Sequence, residues 1–207
     1  VLPSANSEFY AYMPTAAAFQ LRPNARTLVL EPRGGLDVLT ALELGAFNVT
    51  AVEVNPLIIE AASHVYAAPR LAIVVEADRS FLRRSQDHFD IIVLSLISSY
   101  HPIRSGAYSL AEEYRYTVEA FQDALARLEL DGLLVVTRWL QTPPSESLRA
   151  FALAVTALEE QGADPGQQIV VFRGYNTATT LVKNSPFTPD ELQSIRNFTQ
   201  QRAFDLV

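Results

Sequence analysis

Acidic and glycine residues follow three consecutive aliphatic runs of the chain. Gly34 and Gly35 come just after the run that ends at Glu31, Glu53 ends the next run, and Asp78 follows the third. Paired glycines let backbone approach a ligand, and the helix start behind them offers unpaired N–H groups. An acid after the second strand can accept both ribose hydroxyls, and one after the third can reach an adenine amino group. The pattern therefore predicts an adenosine pocket.

Each of these residues also has a purely structural explanation. Gly34 and Gly35 can form a tight turn, Asp78 can cap a helix that starts at Arg79, and Glu53 can be a solvated strand end. Any one of these explanations would be preferred for a residue taken alone. Their coincidence at the ends of three consecutive runs favours the pocket.

The elements that must position these residues alternate along the chain. Short aliphatic runs alternate with segments of helical period, which is typical of βαβ units around a parallel sheet. The last two runs are joined too tightly for a helical crossover, so one of them must be antiparallel. We predict a doubly wound α/β fold with strands at Thr27–Glu31, Val49–Val54, Leu71–Glu76, Phe89–Ser95, Leu133–Arg138, Ile169–Arg173 and Thr179–Lys183.

The composition of the chain disfavours several classes of function. The 207 residues carry a formal net charge of −7, which disfavours nucleic acid as a partner. The chain has no cysteine and only three scattered histidines, so no metal site is expected. No apolar run approaches the roughly 20 residues needed to cross a bilayer. We expect a soluble, cytoplasmic domain, with residues 1–25 as an N-terminal lid or edge segment and residues 26–207 as the main domain of a longer chain.

Five segments carry a resemblance to a known family. They read LVLEPRGGLDVLTALELGA, TAVEVNPLIIEAA, VVEADRSFLRR, FDIIVLSL and SLAEEYRYTVEAFQDALARLELDGLLVVTRW. The chain resembles the spermidine synthase branch of class I S-adenosylmethionine-dependent transferases, which have a Rossmann-like fold. The resemblance implies a seven-stranded, mostly parallel sheet with one antiparallel strand, and S-adenosylmethionine or its decarboxylated form as cofactor, without a metal. It implies cofactor contacts from Glu31, Arg33, Gly34, Gly35, Asp37, Glu53, Asn55, Asp78 and Arg79.

The chain departs from this family at the glycine turn. The GxGxG pattern corresponds to residues 33–37 and retains only its middle glycine, Gly35, because Arg33 and Asp37 replace the others. A guanidinium pairs bidentately with a carboxylate. If Arg33 points inward, we expect it to favour S-adenosylmethionine, which has a carboxylate, over the decarboxylated form.

A second departure follows the fourth strand. Aminopropyl transferases of the family carry two aspartates there, whereas this chain has Ser95 and Ser98. Serine is not an anionic base at neutral pH without an activating partner. His101 and Glu113 are candidate substitutes for that base, although a loop histidine is more often idle. The predicted catalytic residues are therefore Ser95, Ser98, His101 and Glu113.

Two functions of different classes remain open. The first is an S-adenosylmethionine-dependent transferase, with methyl transfer or weakened activity favoured over aminopropyl transfer to a small-molecule acceptor such as an amine. The second is a catalytically inactive nucleoside-binding or scaffold domain of a larger membrane-associated protein. A nicotinamide-binding module is disfavoured because the chain has no G-x-G-x-x-G segment. A homodimer is compatible with either function.

Overall fold

The computed structural model of the chain describes residues 7–96, 115–141, 144 and 146–207. The strands are β1 (Arg26–Leu30), β2 (Asn48–Val52), β3 (Leu71–Val74), β4 (Phe89–Leu94), β5 (Leu128–Trp139), β6 (Ile169–Arg173), β7 (Thr177–Lys183) and β8 (Asp205–Leu206). The helices are α1 (Ser7–Ala11), α2 (Ala16–Leu21), α3 (Leu36–Glu43), α4 (Pro56–Ala61), α5 (Ser63–Tyr66), α6 (Asp78–Arg84), α7 (Val118–Leu125), α8 (Glu146–Glu160), α9 (Pro165–Gln168) and α10 (Pro189–Gln201).

The strands form one mixed sheet in the order β3-β2-β1-β4-β5-β7-β6-β8. Strands β1 to β5 are parallel to one another, and β7 pairs antiparallel with both β5 and β6. The doubly wound, mostly parallel α/β class is therefore confirmed. The described part of the chain contains eight strands rather than seven, because the two-residue β8 adds to β6.

Alternate residues of the central strands supply two separate cores, one on each face of the sheet. Val29 of β1 packs in the core that includes α2, α3 and α10, whereas Leu28 and Leu30 pack in the core that includes α6, α7 and α8. All three residues are at most 1% exposed. Burial on both faces explains why these strands read as continuous aliphatic runs.

Side-chain caps mark the first residues of helices α10 and α7. The sequence predicts a capping box at Thr188, and the Thr188 hydroxyl accepts the Glu191 N–H at 3.2 Å while the Glu191 carboxylate accepts the Thr188 N–H at 2.8 Å. The helical spacing of the apolar residues from Tyr114 to Leu128 predicts one long helix, but the Thr117 side chain caps the start of α7 and Leu128 already belongs to β5. The sequence also predicts a capping box at residues 109–112, which lie outside the described residues.

Part of the segment before β1 is packed in the core, whereas Phe9 and Tyr12 are exposed. Helix α2 buries Ala16, Ala17, Ala18 and Phe19 in the core beside α3. The division into residues 1–25 and 26–207 stays a prediction. Within the described ranges, none of the helices has the length and apolarity that crossing a membrane demands.

Candidate functional site

Strand order places the predicted acids at one edge of the sheet. The chain winds from β1 to β3 on one side and continues through β4 on the other, so the order reverses between β1 and β4. Crevices outside the carboxyl ends of strands at such a reversal bind ligands in open α/β sheets. Glu31 follows β1, Glu53 follows β2, Asp78 opens α6 after β3, and Ser95 follows β4. The four side chains predicted from separate motifs therefore start from neighbouring strand ends.

Glu53 holds the turn after β1 through backbone contacts. Its side chain is fully buried, and its carboxylate accepts the Arg33 N–H at 3.2 Å and the Asn55 N–H at 3.0 Å. Each carboxylate oxygen thus has one protein donor and can accept more. Glu53 is therefore a structural support of the turn as well as the predicted ribose ligand.

The turn adopts left-handed backbone at alternate residues. The φ angles are 45° at Glu31, 54° at Arg33 and 82° at Gly35. Asp37 lies in the first turn of α3 instead. The positions that favour glycine are therefore 31, 33 and 35, two residues earlier than the expected 33, 35 and 37. Glu31 and Arg33 both adopt a conformation that is uncommon for residues with a side chain.

Gly35 is required by space as well as by backbone conformation. A Cβ atom at Gly35 would lie 2.5 Å from Cγ1 of Val65, whereas one at Gly34 would meet nothing within 4 Å. We expect Gly35→Ala to lower the free energy of unfolding by about 2 kcal/mol, through strain and overlap together. Gly34→Ala is the matched control and should change it by less than about 0.5 kcal/mol. Urea unfolding of both variants checks this, and equal losses would contradict it.

Arg115 links the acids of β1 and β3. Its Nη2 lies 2.9 Å from Oε2 of Glu31, and its Nε lies 3.2 Å from Oδ2 of Asp78. Arg33 joins the same group, because its Nη2 lies 2.9 Å from Oε2 of Glu31. We call Glu31, Arg33, Asp78 and Arg115 the ion-pair cluster. Its two carboxylates are almost completely buried.

Burial sets the charge balance of the ion-pair cluster. Desolvation raises the pKa of Glu31, and Arg115 and Arg33 only partly oppose this while Asp78 and Glu53 add to it. Desolvation likewise raises the pKa of Asp78, against the effect of Arg115. The arginines therefore offset only part of the effect of burial, which favours the protonated form of both carboxyls.

Tyr66 fixes the carbonyl side of the turn. Its hydroxyl donates to the Arg33 carbonyl oxygen at 2.8 Å. Burial, with the charge of Glu53 next in effect, raises the pKa of Tyr66 to about 12, so the hydroxyl remains a donor at neutral pH. The residue at position 33 is thus held from both sides, by Glu53 on its N–H and by Tyr66 on its carbonyl.

Asp37 lies beside Ser95 under the same edge of the sheet. Burial raises the pKa of Asp37, and interactions with the Ser95 and Thr15 hydroxyls partly oppose this increase. Both hydroxyl oxygens are buried, and neither makes a hydrogen bond of good geometry to any described residue. The structure therefore brings the half-buried Asp37 close to the buried Ser95, although the two were predicted for different roles.

The remaining predicted residues have other surroundings. The Asn55 side chain caps α4 by accepting the Leu57 N–H at 3.0 Å, and Arg79 pairs with Asp123 of α7 at 3.2 Å. Cofactor contact stays a prediction for both, as it does for the exposed Gly34. Ser98, His101 and Glu113 lie outside the described residues. Among the residues that are described, no three His, Cys, Asp or Glu side chains form a group that could hold a metal ion.

Sequence reasoning missed Arg115 and Tyr66. Arg115 lies inside the EEYRYTVEAF segment, of which only Glu113 was predicted to be in the site. An arginine flanked by two tyrosines shortly before helix α7 was the available signal. Tyr66 gave no signal beyond the apolar period of its helix.

Comparison with known proteins shows which fold this chain has. The chain matches no protein family model and no curated protein. It is similar to a spermidine synthase solved with the transition-state analogue AdoDATO (17% identity, 93% of this chain and 65% of that chain, TM-score 0.61). It is also similar to a probable spermidine synthase from Corynebacterium glutamicum (15%, 94% and 70%, TM-score 0.67).

A third similar structure is human methyltransferase-like protein 13 in complex with SAH (12% identity, 95% of this chain and 88% of that chain, TM-score 0.61). The chain thus spans about two thirds of the length of the spermidine synthases and most of this methyltransferase. At these identities the similarity establishes the fold. The chain has the spermidine synthase-like fold of the S-adenosylmethionine-dependent methyltransferases.

Proposed function

We propose that this domain binds an S-adenosylmethionine-type nucleoside across the carboxyl ends of β1, β2 and β3 and uses it in a transferase reaction. The observation that carries the proposal is the convergence of Glu31, Glu53 and Asp78 at adjacent strand ends, where Arg115 joins two of them directly. Similar structures were solved with AdoDATO and with SAH, which supports this ligand class.

The residues present fit such a ligand. Glu53 has free lone pairs for the ribose hydroxyls, and Asp78 can accept the adenine amino group once Arg115 shares or releases it. The left-handed backbone at residues 31, 33 and 35 would let the main chain approach the amino-acid end of such a ligand. When bound, S-adenosylmethionine supplies an electrophilic carbon on its sulfonium, and the protein's task is to position the acceptor in line with it.

The end of β4 favours methyl transfer or weakened activity over aminopropyl transfer. Ser95 is 4% exposed and carries no charge, so it offers neither an anionic base nor attraction for a cationic amine. Burial raises the pKa of the neighbouring Asp37, so this carboxyl ionises less readily than an ordinary aspartate. Methyl transfer to an acceptor that is already nucleophilic needs less help from a base. We propose a small-molecule acceptor, of which an amine is one example.

A second candidate is an inactive nucleoside-binding or scaffold domain of a larger membrane-associated protein. This candidate is favoured because groups of the chain already contact all three acids. Arg33 and Arg115 pair with Glu31, and Arg115 also contacts Asp78. Two backbone N–H groups donate hydrogen bonds to Glu53. If the ion pairs of Glu31 and Asp78 never open, only Glu53 keeps lone pairs that a nucleoside could use.

Calorimetry separates a nucleoside-binding domain, which the transferase requires, from a scaffold that binds no nucleoside. We expect heat of binding with S-adenosylmethionine and with methylthioadenosine, and none with NAD. Binding of the decarboxylated analogue should be weaker than that of S-adenosylmethionine. Failure of all four compounds to bind would overturn the transferase proposal and leave the scaffold. Binding of NAD alone would overturn both in favour of a nicotinamide site.

Arg33 should determine the preference between the two forms of the cofactor. We expect Arg33→Gly to reduce the preference for S-adenosylmethionine over its decarboxylated form by about tenfold, because one charge-assisted contact to the carboxylate is lost. Glycine also suits the φ of 54° at this position, so folding is preserved. Arg83→Gly, which removes an exposed arginine of α6, is the control. An equal change in affinity for both forms would contradict an inward-pointing guanidinium.

A further inference from the structure

One carboxylate oxygen of Glu31 is shared by two arginines. Oε2 of Glu31 lies 2.9 Å from Nη2 of Arg33 and 2.9 Å from Nη2 of Arg115. The two guanidinium groups are therefore close neighbours, although their residues come from the turn after β1 and from the segment before α7. Guanidinium groups bind carboxylates through charge-assisted hydrogen bonds.

These contacts are close but poorly aligned. Oε2 of Glu31 lies at ion-pair distance from both arginines, yet none of its contacts meets the angular criteria of a hydrogen bond. In addition, Nε of Arg33 and Nη1 of Arg115 are buried without a hydrogen-bond acceptor among the described residues. Buried N–H donors normally have a partner. The two guanidinium groups thus retain donors that a better placed carboxylate could satisfy.

The backbone does not need a side chain at position 31. Its φ of 45° is a conformation that glycine adopts without strain and that a residue with a Cβ adopts rarely. The glutamate is nevertheless present, with its carboxylate buried between the two arginines. The residue has a strained backbone, and its side chain lies between two cations at the sheet edge where the ligand is predicted to bind. This combination suggests a role for the side chain.

We propose that Arg33 and Arg115 form an anion subsite, which the Glu31 carboxylate occupies when no ligand is bound. The carboxylate of the nucleoside ligand replaces the Glu31 carboxylate on binding. This inference rests on the proposed function for the identity of the ligand. The exchange leaves the charge on the two arginines balanced, since one carboxylate takes the place of another. A ligand without a carboxylate cannot make the exchange, so Glu31 acts as a filter for the amino-acid end of the ligand.

The test compares ligands with and without the carboxylate. Dissociation constants of S-adenosylhomocysteine and methylthioadenosine are measured by calorimetry for the wild type, Glu31→Gly and Glu31→Gln. The control is Glu60→Gln, which removes an exposed carboxylate of α4. We expect Glu31→Gly to tighten binding of S-adenosylhomocysteine by about tenfold relative to methylthioadenosine, because the competing carboxylate is gone. Glu31→Gln should have a smaller effect in the same direction.

A second measurement is independent of the nucleoside. Sulfate should raise the melting temperature of Glu31→Gly more than that of the wild type, because the two arginines become available to an external anion. Equal sulfate effects in both proteins, or equal changes in affinity for both nucleosides, would overturn the inference. A sulfate effect specific to Glu31→Gly, with neither nucleoside binding any variant, would support the anion subsite and refute the proposed function.

Discussion

Replacing Glu53 by alanine is expected to lower the free energy of unfolding by about 3 kcal/mol and to abolish nucleoside binding. The carboxylate is fully buried and accepts the backbone N–H groups of Arg33 and Asn55, at 3.2 and 3.0 Å. Its removal leaves two N–H groups without an acceptor, and each buried unsatisfied group costs about 1–3 kcal/mol. Urea unfolding gives the stability, and calorimetry with methylthioadenosine gives the binding.

The control for Glu53 separates support of the turn from contact with the ligand. Asn55→Ala removes the side chain that caps α4 but keeps the N–H that Glu53 accepts, so it should cost only about 1 kcal/mol. If Glu53→Ala retained wild-type affinity for methylthioadenosine while losing stability, Glu53 would be a support of the turn and not a ribose ligand.

Replacing Arg115 by methionine is expected to cost about 3 kcal/mol at pH 7, with a loss that shrinks as the pH falls. The change removes the shared counter-charge of Glu31 and Asp78, and breaking a buried ion pair costs about 3–5 kcal/mol. The pKa of both carboxyls is already raised in the folded state, and without Arg115 it rises further.

The direction of the pH dependence follows from proton binding. A carboxyl whose folded pKa exceeds its unfolded value binds more protons when folded, so the folded state becomes less stable as the pH rises through that interval. The interval begins near the ordinary values of 4.5 for Glu31 and 3.8 for Asp78 and extends upward. Stability of Arg115→Met should therefore recover between pH 7 and pH 5, relative to the wild type. Arg83→Met is the control, and parallel pH profiles would contradict the prediction.

Much of the fold could be predicted because the strands are buried on both faces. Residues such as Leu28, Val29 and Leu30 form an uninterrupted aliphatic run, and the helices between the runs show a clear period. The end of α7 was less predictable, because the apolar stripe continues past Leu125 into Leu128 of β5. A stripe at helical spacing cannot mark the residue at which a helix gives way to a strand.

The acids of the site were predictable and their partners were not. Glu53 and Asp78 follow strands, and parallel topology alone brings such residues to one edge. Arg115 reaches that edge from a different part of the chain, and no local spacing connects it to Glu31 or Asp78. The glycine turn was predicted two residues too late, since left-handed backbone occurs at Glu31 and Arg33, where side chains conceal it.

The way in which Glu53 and Tyr66 hold position 33 has an evolutionary consequence. Both form hydrogen bonds with main-chain atoms of Arg33, its N–H and its carbonyl oxygen. Any amino acid that tolerates the backbone angle can therefore occupy this position while the loop keeps its shape. During evolution, a charged residue can therefore replace glycine at this position. The loop can then recognise a different ligand while its backbone stays the same. Patterns that recognise this loop by its glycines will overlook such descendants.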